Sequence, residues 1–403
     1  MAKKGCEENA SAVKRILILT ADAGFGHRSA ANAIRDALEA RYAGQVVTEV
    51  VNPLDEPTAP EFLRNSQSEY DRWVRHVPEL YQLGYQASDG PIPTAILERS
   101  LEILLLETMR IMLERYKPDV IVTTYPAYQA PMHAALRLKR CHKHFYTVVT
   151  DLSTIHRLWF FPRITGLMVP NSLVADLAMS SGVDAEKVFI TGIPVSPKIE
   201  METRGKTEIR RELGWQEAIP TILAVGSKRV DRLMDTLNVI NHYGAKLQLA
   251  VVAGKDEELY HSLSQVEWHI PVHLYDYAEN VPTMMKAADL LVCKAGGLIV
   301  TEALACGLPM LLIEVIPGQE SGNAEYVTAY GAADIAQSPV EVLEKLDHLM
   351  RTDRSLLKRR TENARLLGKP CSAFDAAEIL WKASVSVIAA PKTHRARKVV
   401  VKG

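Results

Sequence analysis

The stretch DLLVCKAGGLIVTEALACGLPMLLIEVIPGQESGNAEYV, residues 289–327, constrains this chain more than any other. Its apolar run, Leu290–Cys293, stops at Ala295-Gly296-Gly297, and an Ala/Leu-rich helical segment starts at once. A strand that breaks at glycines and opens a helix leaves bare backbone N–H groups converging on one point, where the helix dipole favours negative charge. Lys294, Ala295, Gly296, Gly297 and Leu298 therefore form a candidate phosphate cradle. Glu302 stands about one turn further in, close enough to accept hydrogen bonds from sugar hydroxyls beside that phosphate. After the next apolar run, Met310–Val315, comes a second polar cluster, Gly318-Gln319-Glu320-Ser321-Gly322-Asn323. Together the two clusters read as a pocket for a sugar nucleotide.

The rest of the chain alternates in the same way. A short β-type run, residues 15–20, ends at Ala23-Gly24-Phe25-Gly26-His27, and a helical segment, Ser29–Tyr42, follows with Ala30, Ala33, Ile34, Ala37 and Leu38 on one face. Strands are expected at Gln45–Val51, Val120–Thr124, Phe145–Thr150, Gly166–Pro170 and Val188–Thr191. Thr94–Tyr116 reads as an amphipathic helix with Ile96, Leu97, Leu101, Leu104, Leu105, Thr108 and Met112 on one side. Alternation restarts with strands Thr221–Val225, Leu247–Ala253 and Val272–Tyr275. This is the pattern of an α/β protein with two Rossmann-like, doubly wound domains facing a central cleft. The expected division is a flexible N-terminus (1–13), a first domain (14–197), a charged flexible linker (198–206), a second domain (207–370), a helix returning to the first domain (371–390) and a basic tail (391–403).

Composition narrows the function classes. Apolar content of 47% and charged content of 24% suit a water-soluble globular chain, and a net charge of −1 gives no general attraction to nucleic acid. The five cysteines include no CxxC pair, which argues against a disulfide framework and a zinc site. Cys141-His142-Lys143-His144 would have to converge from one short loop to bind a metal. No segment reaches the about 18–20 uninterrupted apolar residues that cross a bilayer, and the start has no signal core. A Gly24-x-Gly26 pair lacks the third glycine and the acidic strand end of a dinucleotide fingerprint.

Four passages carry a family resemblance: TADAGFGHRSAANAI (20–34), TVVTDLSTIHRLWF (147–160), CKAGGLIVTEALACGLP (293–309) and IPGQESGNAEYV (316–327). With them the chain resembles GT-B, family 28-like glycosyltransferases, in particular the monogalactosyldiacylglycerol synthases and bacterial processive diacylglycerol glucosyltransferases. The lipid II-forming GlcNAc transferase is a more distant likeness. Two departures bear on donor choice and acceptor pocket. Phe25 stands where the family's first loop has another glycine, and Gly226-Ser227-Lys228-Arg229 replaces a glycine-rich loop.

The resemblance implies a hexosyltransferase that moves galactose or glucose from a UDP-sugar to diacylglycerol or a related lipid, inverting the anomeric carbon, with no metal. Glu302 would hold the ribose, Gln319, Glu320 and Asn323 the hexose, Tyr277 and Ala278 the uracil, and Gly226 with Ser227 the diphosphate. His27 or Asp151 would act as base, with Gly26, His156 and Trp159 on the acceptor side. Asp151 could orient His27 or take the proton itself. Consecutive aromatics such as Trp159-Phe160-Phe161 are more often core than lipid contact, yet in a regular element they expose at least one face, which also fits membrane or acyl-chain contact. Trp73, Tyr81 and Tyr85 belong to a region, 53–112, suited to an acyl chain or bilayer interface. The expected location is cytoplasmic, peripheral to the cytoplasmic membrane face. Alternatives are an enzyme using UDP-GlcNAc (a lipid-linked precursor transferase or a 2-epimerase) and a non-catalytic nucleotide-sugar-binding protein.

Overall fold

The computed structural model describes residues 13–22, 25–65, 89–226, 230, 232–316, 319–351 and 353–386. Uninterrupted apolar runs such as Ile16–Leu19 and Leu290–Cys293 are buried along their whole length, which is the mark of parallel strands covered on both faces. The first sheet contains β1 (Lys14–Leu19), β2 (Val46–Val51), β3 (Val120–Thr123), β4 (His144–Val148), β5 (Gly166–Val169) and β6 (Val188–Ile190). They pair in parallel in the order β2-β1-β3-β4-β5-β6. The second sheet contains β7 (Thr221–Val225), β8 (Gln248–Val252), β9 (Val272–Tyr275), β10 (Leu290–Lys294), β11 (Met310–Glu314) and β12 (Ala333–Ile335). Its order is β12-β11-β10-β7-β8-β9, again all parallel.

Each order reverses direction once, between β1 and β3 in the first sheet and between β7 and β10 in the second. Connections leave a crevice at the carboxyl ends of the strands at such a point, and ligands bind there. In the first sheet the crevice is entered by α1 (Phe25–Arg41), in the second by α3 (Gly297–Ala305). Both reversals thus carry a glycine-containing passage of the sequence.

Between these helices in the chain, α2 (Pro91–Tyr116) covers the first sheet with Leu101, Leu105, Met109 and Met112. The expectation that Ile96 shares that face does not hold, since it is 63% exposed. Nine residues at roughly 100° each separate it from Leu105 by half a turn, so it points the other way. Trp73, Tyr81 and Tyr85 lie outside the described residues. In the second domain, α4 (Gln319–Ala329) follows β11. The final helix, α5 (Ser372–Val385), lies against α1 and the first sheet, with Ala373, Ala376 and Leu380 in one buried cluster with Ile16, Ile18 and Ile34. Where the chain crosses back, the Val195 N–H donates to Ser372 Oγ at 3.2 Å. The stretch 198–206 is anchored rather than loose: a short helix, Lys198–Met201, buries Ile199, and Lys286 Nζ donates to the Glu202 carbonyl at 2.7 Å.

The position of β10 next to β7 is fixed by charge as well as by strand pairing. Asp289, just before β10, accepts from the Thr221 N–H at 2.8 Å and from Arg210 Nη2 at 2.6 Å. Burial pushes its pKa up, but Lys206 and Arg210 outweigh this and hold it below the usual carboxylate range. Arg210 is buried and also donates to the carbonyls of Ala287, Glu217 and Ile219. Replacing it by methionine removes its donors from three carbonyls and leaves Asp289 with Lys206 as its one cationic partner beside the Thr221 N–H. Arg210→Met should lower the unfolding free energy by about 3 kcal/mol in urea denaturation. A loss under about 0.5 kcal/mol would show that this pair does not fix the strands.

Candidate functional site

The turn after β10 is built as the sequence anticipates. The helix cap is Gly296, which has no side chain to satisfy the first amides of α3, so those N–H groups are left for a ligand. The pairing of β10 with β11 shifts register between Cys293 and Lys294, and such a bulge re-aims the side chain beside it. Lys294 forms an ion pair with Glu320, and Glu320 Oε2 accepts the Ile316 N–H at 3.1 Å. Asn323 Nδ2 donates to the Ala295 carbonyl at 3.1 Å. Glu320 and Asn323 are both buried, so α4 is fastened to the turn by two polar contacts that sequence reading did not reveal. A Cβ placed on Gly296 would come within 3.5 Å of Lys294 Nζ and 3.7 Å of Glu320 Oε1, which puts the ion pair against the turn.

Glu302 is different. No described group donates to its carboxylate, and burial alone raises its pKa to about 7. A desolvated acceptor without a donor, one turn in from an anion site, suits a hydroxyl-bearing ligand. Tyr277 is 51% exposed, with Lys255 Nζ 4.2 Å from its ring centre, and Ala278 is half-buried beside the core. Leu298 and residues of α1, among them Arg28, Asn32 and Asp36, line a cleft of about 360 Å³.

One donor-side expectation changes. The Gly226 N–H is already used, donating to the Val252 carbonyl at 2.8 Å, so it cannot also hold a diphosphate. Gly226 is small for packing reasons: an added Cβ would meet Leu233 and Leu259 at 2.7 Å. Ser227 and the Gln319 side chain fall outside what the structure describes.

On the first domain, His27 is the third residue of α1, and Gly26 just before it has open space around its Cα. The His27 Nδ1 pairs with Thr150 Oγ1 at 2.8 Å, and its ring is flanked by Tyr125 at 5.2 Å and Trp159 at 6.0 Å. Burial among these rings lowers its pKa to about 4, so the imidazole is neutral at physiological pH. Asp151 does not orient His27; Trp159 Nε1 donates to its Oδ2 at 3.0 Å. Burial raises the Asp151 pKa to about 6, against the lowering effect of that bond. Trp159 therefore touches both candidate bases at once.

The same tryptophan corrects the expectation of lipid contact. Trp159, Phe160 and Phe161 are 2%, 6% and 1% exposed, all core, because the chain turns through a short 3-10 helix there and points each ring inward. His156 is also no open acceptor group: its Nδ1 accepts the Leu158 N–H at 3.0 Å and caps that turn. Thr150, unnoticed in the sequence, stands between the His27 ring and the glycine turn. Its hydroxyl holds His27, while a Cβ on Gly297 would lie 3.8 Å from its carbonyl oxygen. Among the described residues no group of three or more His, Cys, Asp or Glu is arranged to hold a metal.

Comparison with known proteins agrees with this geometry. Residues 27–195 match the family described as monogalactosyldiacylglycerol (MGDG) synthase, and residues 221–371 match the glycosyltransferase family 28 C-terminal domain. The chain is 32% identical over 379 residues to monogalactosyldiacylglycerol synthase 3, chloroplastic, of Arabidopsis thaliana, covering 91% of this chain and 80% of that protein. It is 31% identical to monogalactosyldiacylglycerol synthase, chloroplastic, of Spinacia oleracea, over 90% of this chain and 71% of that protein. Among solved structures, MurG of Acinetobacter baumannii superposes with a TM-score of 0.59 at 14% identity, over 92% of this chain and 99% of that one. UDP-GlcNAc 2-epimerase from Neisseria meningitidis bound to UDP-GlcNAc gives 0.55 at 15% identity, over 91% and 98%. These structural likenesses establish the fold, two facing Rossmann-like domains of the GT-B kind.

Glu302 makes the site testable without any ligand. Its carboxyl titrates at about 7 when folded, against 4.5 ordinarily, so the folded state is favoured by the proton. That contribution is complete below pH 4.5 and is lost as pH rises through about 7. Glu302→Gln removes the loss. In thermal unfolding the ligand-free variant should exceed the parent at pH 8 by on the order of 2 kcal/mol and match it near pH 4.5. A variant less stable than the parent at pH 8 would mean that the carboxylate has a partner in the fold.

Proposed function

The chain belongs to the monogalactosyldiacylglycerol synthase family, and we propose that it transfers a hexose from a UDP-sugar to the free hydroxyl of diacylglycerol or a related membrane lipid, inverting the anomeric carbon. One observation carries this most directly. Thr150 holds the His27 ring with its side chain and meets the Gly296-Gly297 turn with its backbone, so a proton acceptor and an anion site face one another across the cleft.

In this reading the diphosphate sits on the amides opening α3, the Glu302 carboxylate accepts from the ribose hydroxyls, and Glu320 and Asn323 border the hexose. Tyr277 and Ala278 border the uracil. The lipid oxygen attacks C1 of the sugar, and its proton passes to Nε2 of His27, the ring nitrogen left open by the Thr150 contact. The bond from C1 to the β-phosphate oxygen breaks, and UDP leaves with the electron pair. The α3 dipole and amides stabilise the charge that develops on it, and no metal is invoked. Asp151, held by Trp159, stays ionised above about pH 6 and is tied to the His27 ring only through that tryptophan.

The lipid acceptor places the reaction at a membrane surface. Among the described residues no helix is long and apolar enough to cross a membrane. On α2, Ile92, Ile96 and Ile103 are 74%, 63% and 70% exposed along one stripe, and this face is the proposed contact with the bilayer, from the cytoplasmic side. Galactose is the sugar named in the relatives and the first donor to test.

Incubation with radiolabelled UDP-galactose or UDP-glucose and diacylglycerol micelles should give organic-soluble label; none with either donor would contradict the reading. His27→Ala should lower kcat by about 100-fold or more while UDP affinity stays unchanged. The neutral imidazole is the active form, so kcat/KM should fall only as pH drops through about 4. An acid limb at about 6 would instead make Asp151 the base.

A further inference from the structure

Beyond the reacting groups, one contact between the domains stands out. Ser153 Oγ donates to the Gly322 carbonyl at 2.7 Å, joining residues 169 positions apart. Gly322 lies inside α4, where glycine costs about 1 kcal/mol relative to alanine. Its backbone is not left-handed, so conformational freedom does not account for it. Space does. A Cβ on Gly322 would stand 2.0 Å from Thr154 Oγ1, 2.8 Å from Thr154 Cβ and 2.7 Å from Ser153 Oγ. Threonine is branched at Cβ and stiff in χ1, so it has little room to yield.

The loop on the other side of the contact is firmly held. Asn171 Nδ2 donates to the Leu152 carbonyl at 2.8 Å while its Oδ1 caps the helix Ser172–Ser180. Leu152 itself is buried in the second domain's cluster with Ala324 and Val327 of α4. The contact therefore binds a first-domain loop that begins at Asp151 to the helix carrying Glu320 and Asn323.

We propose that the Ser153–Gly322 contact is the closing latch of the cleft, and that Ser153, Thr154 and Gly322 are positioning residues that set the acceptor side against the sugar side for transfer. This rests on the sugar-transfer reading above. With the latch closed, bulk water is kept from C1. With it open, water attacks C1 in place of the lipid hydroxyl, the bond from C1 to UDP breaks with its electron pair, and the water's proton goes to solvent. Free hexose is then released.

The test compares the parent with Gly322→Ala, Ser153→Ala and Gly322→Ala/Thr154→Gly. UDP affinity, Tm, kcat, the ratio of free to lipid-linked hexose, and hydrogen exchange at residues 151–155 are measured for each. The nucleotide groups all lie in the second domain, so Gly322→Ala should bind UDP within about threefold of the parent. Its kcat should fall by about 30-fold or more and its share of free hexose should rise. Ser153→Ala, which removes one hydrogen bond, should lose about five- to tenfold in kcat. The double variant removes both Thr154 clashes, leaving only the Ser153 hydroxyl to turn aside, and should recover part of the lost kcat. A Gly322→Ala protein with kcat near the parent's overturns the latch, as does one whose Tm and UDP affinity collapse together, or a double variant no better than the single. A parent that neither binds UDP nor transfers sugar would overturn the sugar-transfer reading instead, and raised exchange at 151–155 in Gly322→Ala would still distinguish the two failures.

Discussion

The turn Ala295-Gly296-Gly297, where a fully buried strand gives way to an uncapped helix, is the constraint on which the remaining structure depends. The strand before it must be central and covered on both faces, because an apolar run of this kind cannot stand at a solvent edge. The helix after it must start at once, because glycine supplies neither side-chain cap nor bulk, and the amides of the first turn then point into the crevice. Around this point the chain has placed one carboxylate that lacks a donor and one charged pair that is already satisfied. Glu302 is desolvated with no donor, and the Lys294–Glu320 pair lies against the turn. Buried polar groups of the first kind are kept by proteins where a bound molecule completes them.

The first domain answers with the opposite chemistry, a proton acceptor. Three aromatic or hydroxyl-bearing side chains, Tyr125, Trp159 and Thr150, fix the His27 ring. The same enclosure that holds the imidazole in place keeps it neutral, since a charged ring would lose its hydration there. Burial acts on Asp151 in the reverse sense and raises it. The two groups are thus shifted in opposite senses, the imidazole down to about 4 and the carboxyl up to about 6, and each is still deprotonated at neutral pH. Trp159, bonded to the one and packed on the other, makes them a unit.

Much of this was legible in the sequence, for identifiable reasons. Apolar runs, some of them ending in glycine, located most strands of both sheets, and the offset from Gly297 to Glu302 located an acid on α3. The strand β12, with 3 residues, and the helix Glu257–Ser264, with 8, were missed because each is too short to stand out from its surroundings. Three consecutive aromatics looked like a lipid-facing patch because a regular element cannot bury them all; a 3-10 turn can. Gly226 looked like a phosphate glycine and proved to be a packing glycine, a distinction that depends on Leu233 and Leu259 from elsewhere in the chain. The contacts that make the cleft a site, Thr150 with His27 and Ser153 with Gly322, join residues more than a hundred positions apart. No local pattern announces them.

Where the nucleotide binds decides what this cleft does. A crystal structure of the protein with UDP measures this directly. The diphosphate should lie on the amides of residues 297–299 at the start of α3, with the ribose hydroxyls on the Glu302 carboxylate. A nucleotide bound elsewhere, or one that leaves Glu302 without a hydroxyl partner, would contradict it.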